Sequence, residues 1–378
     1  MIYLDHNATT PLDPDVLESM LPFLGNQFGN PSSLSRLGRT ARTAIEVARE
    51  QVAALAGASA SQVIFTSGGT EANNLALLGL SQVAKKGALA ISAIEHPSVL
   101  SPALDYLSYQ GWDTHVLPVN TSGIVDVNTL ETSNMADLRL ISVMLANNET
   151  GVIQDIAGIA NDCRKHHIML HTDAVQAFGK IPVNFKTLHV HSMSVSSHKI
   201  NGPKGVGALI VDPEITVQPL VYGGGQEKTI RPGTENVAGI IGFGKAAELA
   251  AVSLEQHMLS TTQLRDELIT RLLKLDHCTI FGVNAPRLPN TVQFAIQNVD
   301  GEMLLMALDQ AGIAVSSGSA CSSASKAPSH VLQAMGVDEI TARGAIRISF
   351  GSASTTDNID SLMAVINQQL SSWMFDDE

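Results

Sequence analysis

Cysteine is scarce in this chain: three in 378 residues, at positions 163, 278 and 321, with no Cys-x-x-Cys pair. So few, so far apart and odd in number, they argue against a disulfide scaffold and a thiolate zinc site. Positive charge is also short. Lys and Arg together number 23 against 36 Asp and Glu, a net charge of −13. Direct contact with a nucleic acid backbone or an anionic membrane therefore lacks its main attraction. Long apolar runs are missing as well, since LALLGL (75–80) and MLLMAL (303–308) fall far short of a membrane span. The opening residues, MIYLDHNATT, have neither a basic n-region nor an apolar h-region, so no signal peptide is expected. A soluble cytoplasmic protein is the expectation.

What is present is a long, ordinary globular composition, 44% apolar over a length that one hydrophobic core rarely covers, so two domains are expected. Asp13 and Pro14 begin a first helix, and Leu37, Ala41, Ile45, Ala48, Val52 and Leu55 mark a second that Gly57 closes. QVIFTS, ALAISA, LRLISVMLA, HIMLHTDA, HSMSVSS and GVGALIV read as buried strands. Separated by helical patterns, they predict an α/β fold with a mainly parallel sheet sandwiched by helices. Two long helical patterns fill 236–275, and a smaller α/β unit follows with VQFAI and AIRISFG. The expected division is a large domain over 13–255, with 1–12 and 256–378 forming the smaller one.

Ligands in open parallel sheets bind beyond the carboxyl ends of strands, and polar groups gather there. TSGGT supplies Gly69 and Thr70 at a helix start, IEHP supplies His96, and NNETG supplies Asn148. HTDAVQ supplies Asp173 and Gln176, and SSHK supplies Ser196, His198 and Lys199. A lysine at a strand end reads either as surface or as a Schiff-base amine. Asp173, in an apolar stretch where a lone carboxylate is costly, shifts the balance. A pyridinium nitrogen is its natural partner, and lysine plus acid is the signature of a pyridoxal phosphate site. The SGGT turn suits the phosphate. His96 suits ring stacking or proton transfer. His189 and His191, two apart on a predicted strand, lack the further ligands a metal site needs, so no metal is expected. Arg347 sits among apolar residues as an edge residue or a carboxylate clamp.

Cys321 lies in SSGSACSS (316–323), with nothing apolar to pack against, unlike Cys163 and Cys278 in their apolar patterns. With the motifs YLDHNATTP, GNPSS, TSGGTEANN, EHPSV, NNETGV, HTDAVQ, SSHKINGPKG, RPGTENV, SSGSACSS and AIRISFG, the sequence closely resembles the cysteine desulfurases. These are class V aminotransferase relatives within the fold-type I pyridoxal phosphate enzymes. The SSGSAC form and the stretch to Pro328 resemble the long-loop subgroup, although Ser35 stands where members often carry histidine.

That resemblance implies the roles. Lys199 would hold pyridoxal 5'-phosphate, Asp173 would pair with its ring nitrogen, His96 would stack on the ring and Gln176 would contact the phenolic oxygen. Thr70, Ser196 and His198 would bind the phosphate, joined by Thr234 from a neighbouring subunit of a homodimer. Asn148 and Arg347 would orient L-cysteine. Cys321, on a mobile loop over 316–328, would take its sulfur as a persulfide, leaving alanine. The sulfur would pass to an iron–sulfur scaffold or another acceptor protein, a transfer RNA thiolation relay being equally compatible. A selenocysteine lyase or aminotransferase on the same scaffold is the sibling alternative. An inactive sulfur-carrier scaffold is the alternative of another class, disfavoured by the joint presence of Lys199 and Asp173.

Overall fold

The computed structural model describes residues 1–126, 137–317 and 328–374, the last three by backbone alone. Its strands are β1 (Ile2–Tyr3), β2 (Val63–Thr66), β3 (Ala88–Ser92), β4 (Asp113–Leu117), β5 (Leu138–Ser142), β6 (Met169–Asp173) and β7 (Ser192–Ser196). They continue with β8 (Gly207–Val211), β9 (Cys278–Ile280), β10 (Thr291–Ile296), β11 (Ile313–Ala314), β12 (Ser316–Ser317) and β13 (Ile346–Ser349). Seven form one sheet in the order β2-β8-β7-β6-β5-β3-β4. Every pairing is parallel except the two made by β8, which runs against both neighbours.

Alternate residues explain why this sheet needs helices on both faces. Val63 and Phe65 join one buried cluster while Ile64 joins another; Ala88 and Ala90 part from Leu89 and Ile91 in the same way. A strand whose two faces are both dry reads as a continuous apolar run, which is how these segments look in sequence. β4 is different. Asp113, Thr114 and His115 are polar and only partly covered, so this edge strand carries no such signal.

A single helix, Val237–Leu272, replaces the two patterns expected over 236–275. Its first half packs Ile240, Phe243, Ala246 and Ala247 on the core of the large sheet; its second half packs Leu264, Leu268 and Leu272 on a separate core. The expected boundary at 255 thus falls inside a continuous helix. Among the described residues this helix alone has the length and apolarity of a membrane span, with a mean hydropathy of 1.5 in its most apolar window. Its packing on two cores accounts for that apolarity.

The second core is closed by an antiparallel sheet, β12-β13-β10-β9. Beside it β1 pairs in parallel with β11, so the N-terminal residues join this part of the chain and lead Asn7 towards the end of β7. His189 and His191 are not on a strand. His189 ends a short helix with φ 58°, and His191 accepts from the Leu170 N–H through Nδ1.

Candidate active site

Beyond the carboxyl ends of β2, β3, β5, β6 and β7 lies a cavity of about 310 Å³. Gly69, Thr70, His96, Asn148, Asp173, Gln176, Ser196, His198, Lys199 and Arg347 all line it. Ten of the predicted positions are therefore brought together from segments as much as 278 residues apart. Thr234 is not among them; it is exposed, just after Gly233. Cys321 and residues 318–327 lie outside the described residues.

The turn after β2 is built for close approach. Gly68 has φ 157° and ψ −178°, a region essentially reserved for glycine. A Cβ on Gly69 would stand 2.8 Å from Val175 Cγ2. The helix Gly69–Ser81 starts there, so its first N–H groups point without intrahelical partners towards the cavity. The Ser196 hydroxyl, on the facing strand, is buried with no hydrogen-bond partner among the described residues. His198 holds Thr9 Oγ1 through Nδ1 at 3.1 Å. Burial, then Lys199 and Lys204, pull its pKa down to about 4, so the imidazole is neutral.

Asp173 ends β6 with its carboxylate buried. Oδ2 accepts from Asn73 Nδ2 at 2.7 Å and Oδ1 from the Val175 N–H at 2.9 Å. Asn73 is fixed in turn by Ser98 Oγ and by His171 Nε2. No cation forms an ion pair with Asp173 among the described residues, which leaves its carboxyl facing whatever enters the cavity. Opposite stands His96, at the N-cap of the helix Pro97–Ser101. Its Nδ1 accepts from the Ser98 N–H at 3.1 Å, which leaves the neutral ring's proton on Nε2. Burial lowers its pKa; Asp173 opposes this, while Lys199 and His330 add to it.

Lys199 Nζ donates to the backbone oxygens of Asn7 and Ala8 at 2.6 and 2.7 Å. Arg347, 1% exposed, donates Nη2 to Asp5 at 2.6 Å and Nη1 to the Asn148 carbonyl at 3.1 Å. Its Nε has no partner among the described residues, an orphan donor on a fully buried guanidinium. Behind His96, Glu95 is fully buried. One carboxyl oxygen accepts from Ser92 Oγ and the Met144 N–H, and the other has no partner among the described residues.

The groups lining this cavity fit pyridoxal phosphate. The Gly68–Thr70 turn with Ser196 and His198 would hold the phosphate, the Asp173 carboxylate would hold the ring nitrogen, and Lys199 would hold the aldehyde carbon. The residues flanking the Cys321 segment also border this site. Ser316 pairs with Arg347 across β12 and β13. On the other side Ser329 donates to Glu149, and His330 Nε2 meets the Glu95 carbonyl at 3.0 Å.

Asn7, Asn73, Ser98 and Lys180 were not assigned roles from sequence. Asn7, Asn73 and Ser98 fall in the motifs YLDHNATTP, TSGGTEANN and EHPSV, the signal the sequence offers for them; Lys180 falls in none.

Comparison with known proteins shows the family and the fold. The aminotransferase class-V family profile matches residues 2–362. A cysteine desulfurase IscS of Dictyoglomus turgidum is 45% identical over 97% of this chain and 94% of its own length. Among solved structures, a NifS-like protein from Rickettsia africae is 38% identical with a TM-score of 0.89, covering 97% of this chain and 99% of that one. Another NifS-like protein is 37% identical with a TM-score of 0.92, covering 98% and 99%.

Proposed function

The chain belongs to the class V aminotransferase family, and we propose that, like the cysteine desulfurases it matches there, it converts L-cysteine to L-alanine and carries the sulfur on Cys321. One observation carries this reading: an amine, a carboxylate with no cation paired to it among the described residues, an imidazole and a buried guanidinium converge on one cavity.

Bound pyridoxal phosphate supplies an electron sink for an amino acid joined through its amine. The chain's residues do the rest. Arg347 and Asn148 orient the substrate carboxylate, the orphan Nε adding a charge-assisted donor. Lys199 Nζ takes the proton from Cα. His96, whose Nδ1 accepts from the Ser98 N–H, stands on the cavity wall with Nε2 as its proton-carrying atom. The Cys321 thiolate then attacks the substrate sulfur. An S–S bond forms and the Cβ–S bond breaks. The electron pair stays on carbon, which collects protons and becomes the methyl group of alanine. One cysteine and one thiol thus give one alanine and one persulfide, with no outside oxidant. Cys321 is four residues beyond Ser317, an extended reach of about 14 Å.

The acceptor in this reading is an iron–sulfur scaffold protein, and the enzyme works as a homodimer in which Thr234 serves the neighbouring subunit's phosphate. Support for the dimer is the exposure of Thr234 together with that of Phe28, Leu34 and Tyr222, apolar groups 75%, 82% and 80% exposed in the single chain.

Replacing Lys199 is the direct test. Lys199→Ala should lose the borohydride-sensitive visible band of the loaded protein and about 10²- to 10⁴-fold of its alanine production with the loss of its proton transfer. Alanine formation at the wild-type rate would overturn the assignment.

A further inference from the structure

We propose that Lys180 is a positioning residue for this site, fixing Gln176 so that its amide presents a hydrogen-bond donor to the cavity. The inference rests on the reading that Gln176 meets the phenolic oxygen of the cofactor.

Lys180 is 3% exposed. Its Nζ donates to Gln176 Oε1 and to Asn7 Oδ1, both at 2.8 Å. No carboxylate pairs with it among the described residues. Lys199 and Arg347 add positive charge nearby, Asp5 negative, and His6 and His257 face it across a second cavity of about 570 Å³. Burial and the two cations hold its pKa well below the usual lysine range. An apolar side chain would fill this space without such a penalty. What the amine supplies is two donors in fixed directions.

An amide side chain has one accepting and one donating end. With Oε1 taken by Lys180, the Nε2 end of Gln176 is turned the other way. One of its hydrogens goes to the Asn7 carbonyl at 3.0 Å, and the second remains for the cavity that Gln176 lines. A flipped amide would aim its oxygen at a phenolate and repel it. Asn7 is pinned by the same amine. Its Oδ1 also takes Asn290, its Nδ2 donates to the Asn148 carbonyl and to Thr291, and its backbone oxygen receives Lys199. Lys180 therefore reaches Gln176 directly, and Lys199 and Asn148 through Asn7.

The test is a double-mutant cycle on the pyridoxal phosphate-loaded protein, read as the pH midpoint of its visible band. A phenolate that loses a donor binds its proton more tightly. Lys180→Met should therefore raise the midpoint by about half a pH unit, roughly threefold in the equilibrium. Gln176→Leu should do the same, and the double variant should go no further. Lys180→Gln, which allows either amide orientation, should fall between wild type and Lys180→Met and serves if the methionine variant does not fold. A wild-type midpoint in the Lys180 variants, or fully additive shifts, overturns the inference. A purely structural role would lower the melting temperature and leave the midpoint in place. A wild-type protein with no borohydride-sensitive band would instead sink the functional reading itself.

Discussion

Glu95 shows how burial at one residue turns into a pH dependence. Burial, with Asp173 adding to it, raises its pKa to about 8 from an ordinary 4.5, against the lowering by Ser92 and the Met144 N–H. Between those two values the folded protein binds more protons than the unfolded chain. Its contribution to stability is therefore complete below about 4.5 and is lost as the pH climbs through about 8. Melting curves at pH 5.5 and 8.5 test this: wild type should lose more stability over that interval than Glu95→Gln. Equal losses would contradict the assignment. Lys199, Asp173 and His96 are legible in the sequence because each ends or closely follows an apolar strand, where a polar group needs a reason. Asn7 and Lys180 are not. Asn7's contacts with Asn148 and Lys199 span 141 and 192 residues. Lys180 reaches Gln176 four residues away and Asn7 across 173, but AFGKIPV by itself reads like any solvent-facing lysine turn.

At the scale of elements, the glycine-rich, polar segment GGGQEKTIRPGT (223–234) is held in place by a buried carboxylate. Three successive residues in it, Glu227, Lys228 and Thr229, hold φ of 42°, 60° and 66°, a costly conformation for side chains with a Cβ. Glu227 is what holds them. It is buried in a two-point ion pair with Arg49, 2.7 Å at each oxygen, and also accepts from the Phe65 N–H. Arg231 fastens the same segment to Glu71, next to Thr70. Glu227→Gln leaves the Arg49 charge buried and should cost about 3 kcal/mol of stability, read from denaturant unfolding. A change within about 0.5 kcal/mol would show that the pair is not holding the loop. Strand existence was legible from apolar runs, but strand direction was not: β8 looks like its parallel neighbours because burial on both faces produces the same composition in either direction. Nor did composition mark position 255, since the helix crossing it is apolar on both sides for different cores.

Over the whole molecule, the end of the large sheet, the N-terminal segment and β13 meet around one cavity, and no single stretch of sequence encloses it. The flanks of the Cys321 segment, Ser316 on β12 and Ser329–His330, are tied to Arg347, Glu149 and Glu95. Both described flanks of the Cys321 segment therefore lie beside the site. Cys321 stood out in sequence because its neighbours are small and polar; its place in space falls outside the described residues. Its part in the chemistry is best settled by a single turnover. The loaded protein is mixed with one equivalent of L-cysteine without reductant, quenched, and assayed for alanine and for sulfur added to the Cys321 peptide. One alanine for each persulfide on Cys321, with neither persulfide nor sustained sulfur release from Cys321→Ser, is the predicted result. Alanine formed with the peptide unmodified, or undiminished sulfur release from the serine variant, would contradict it.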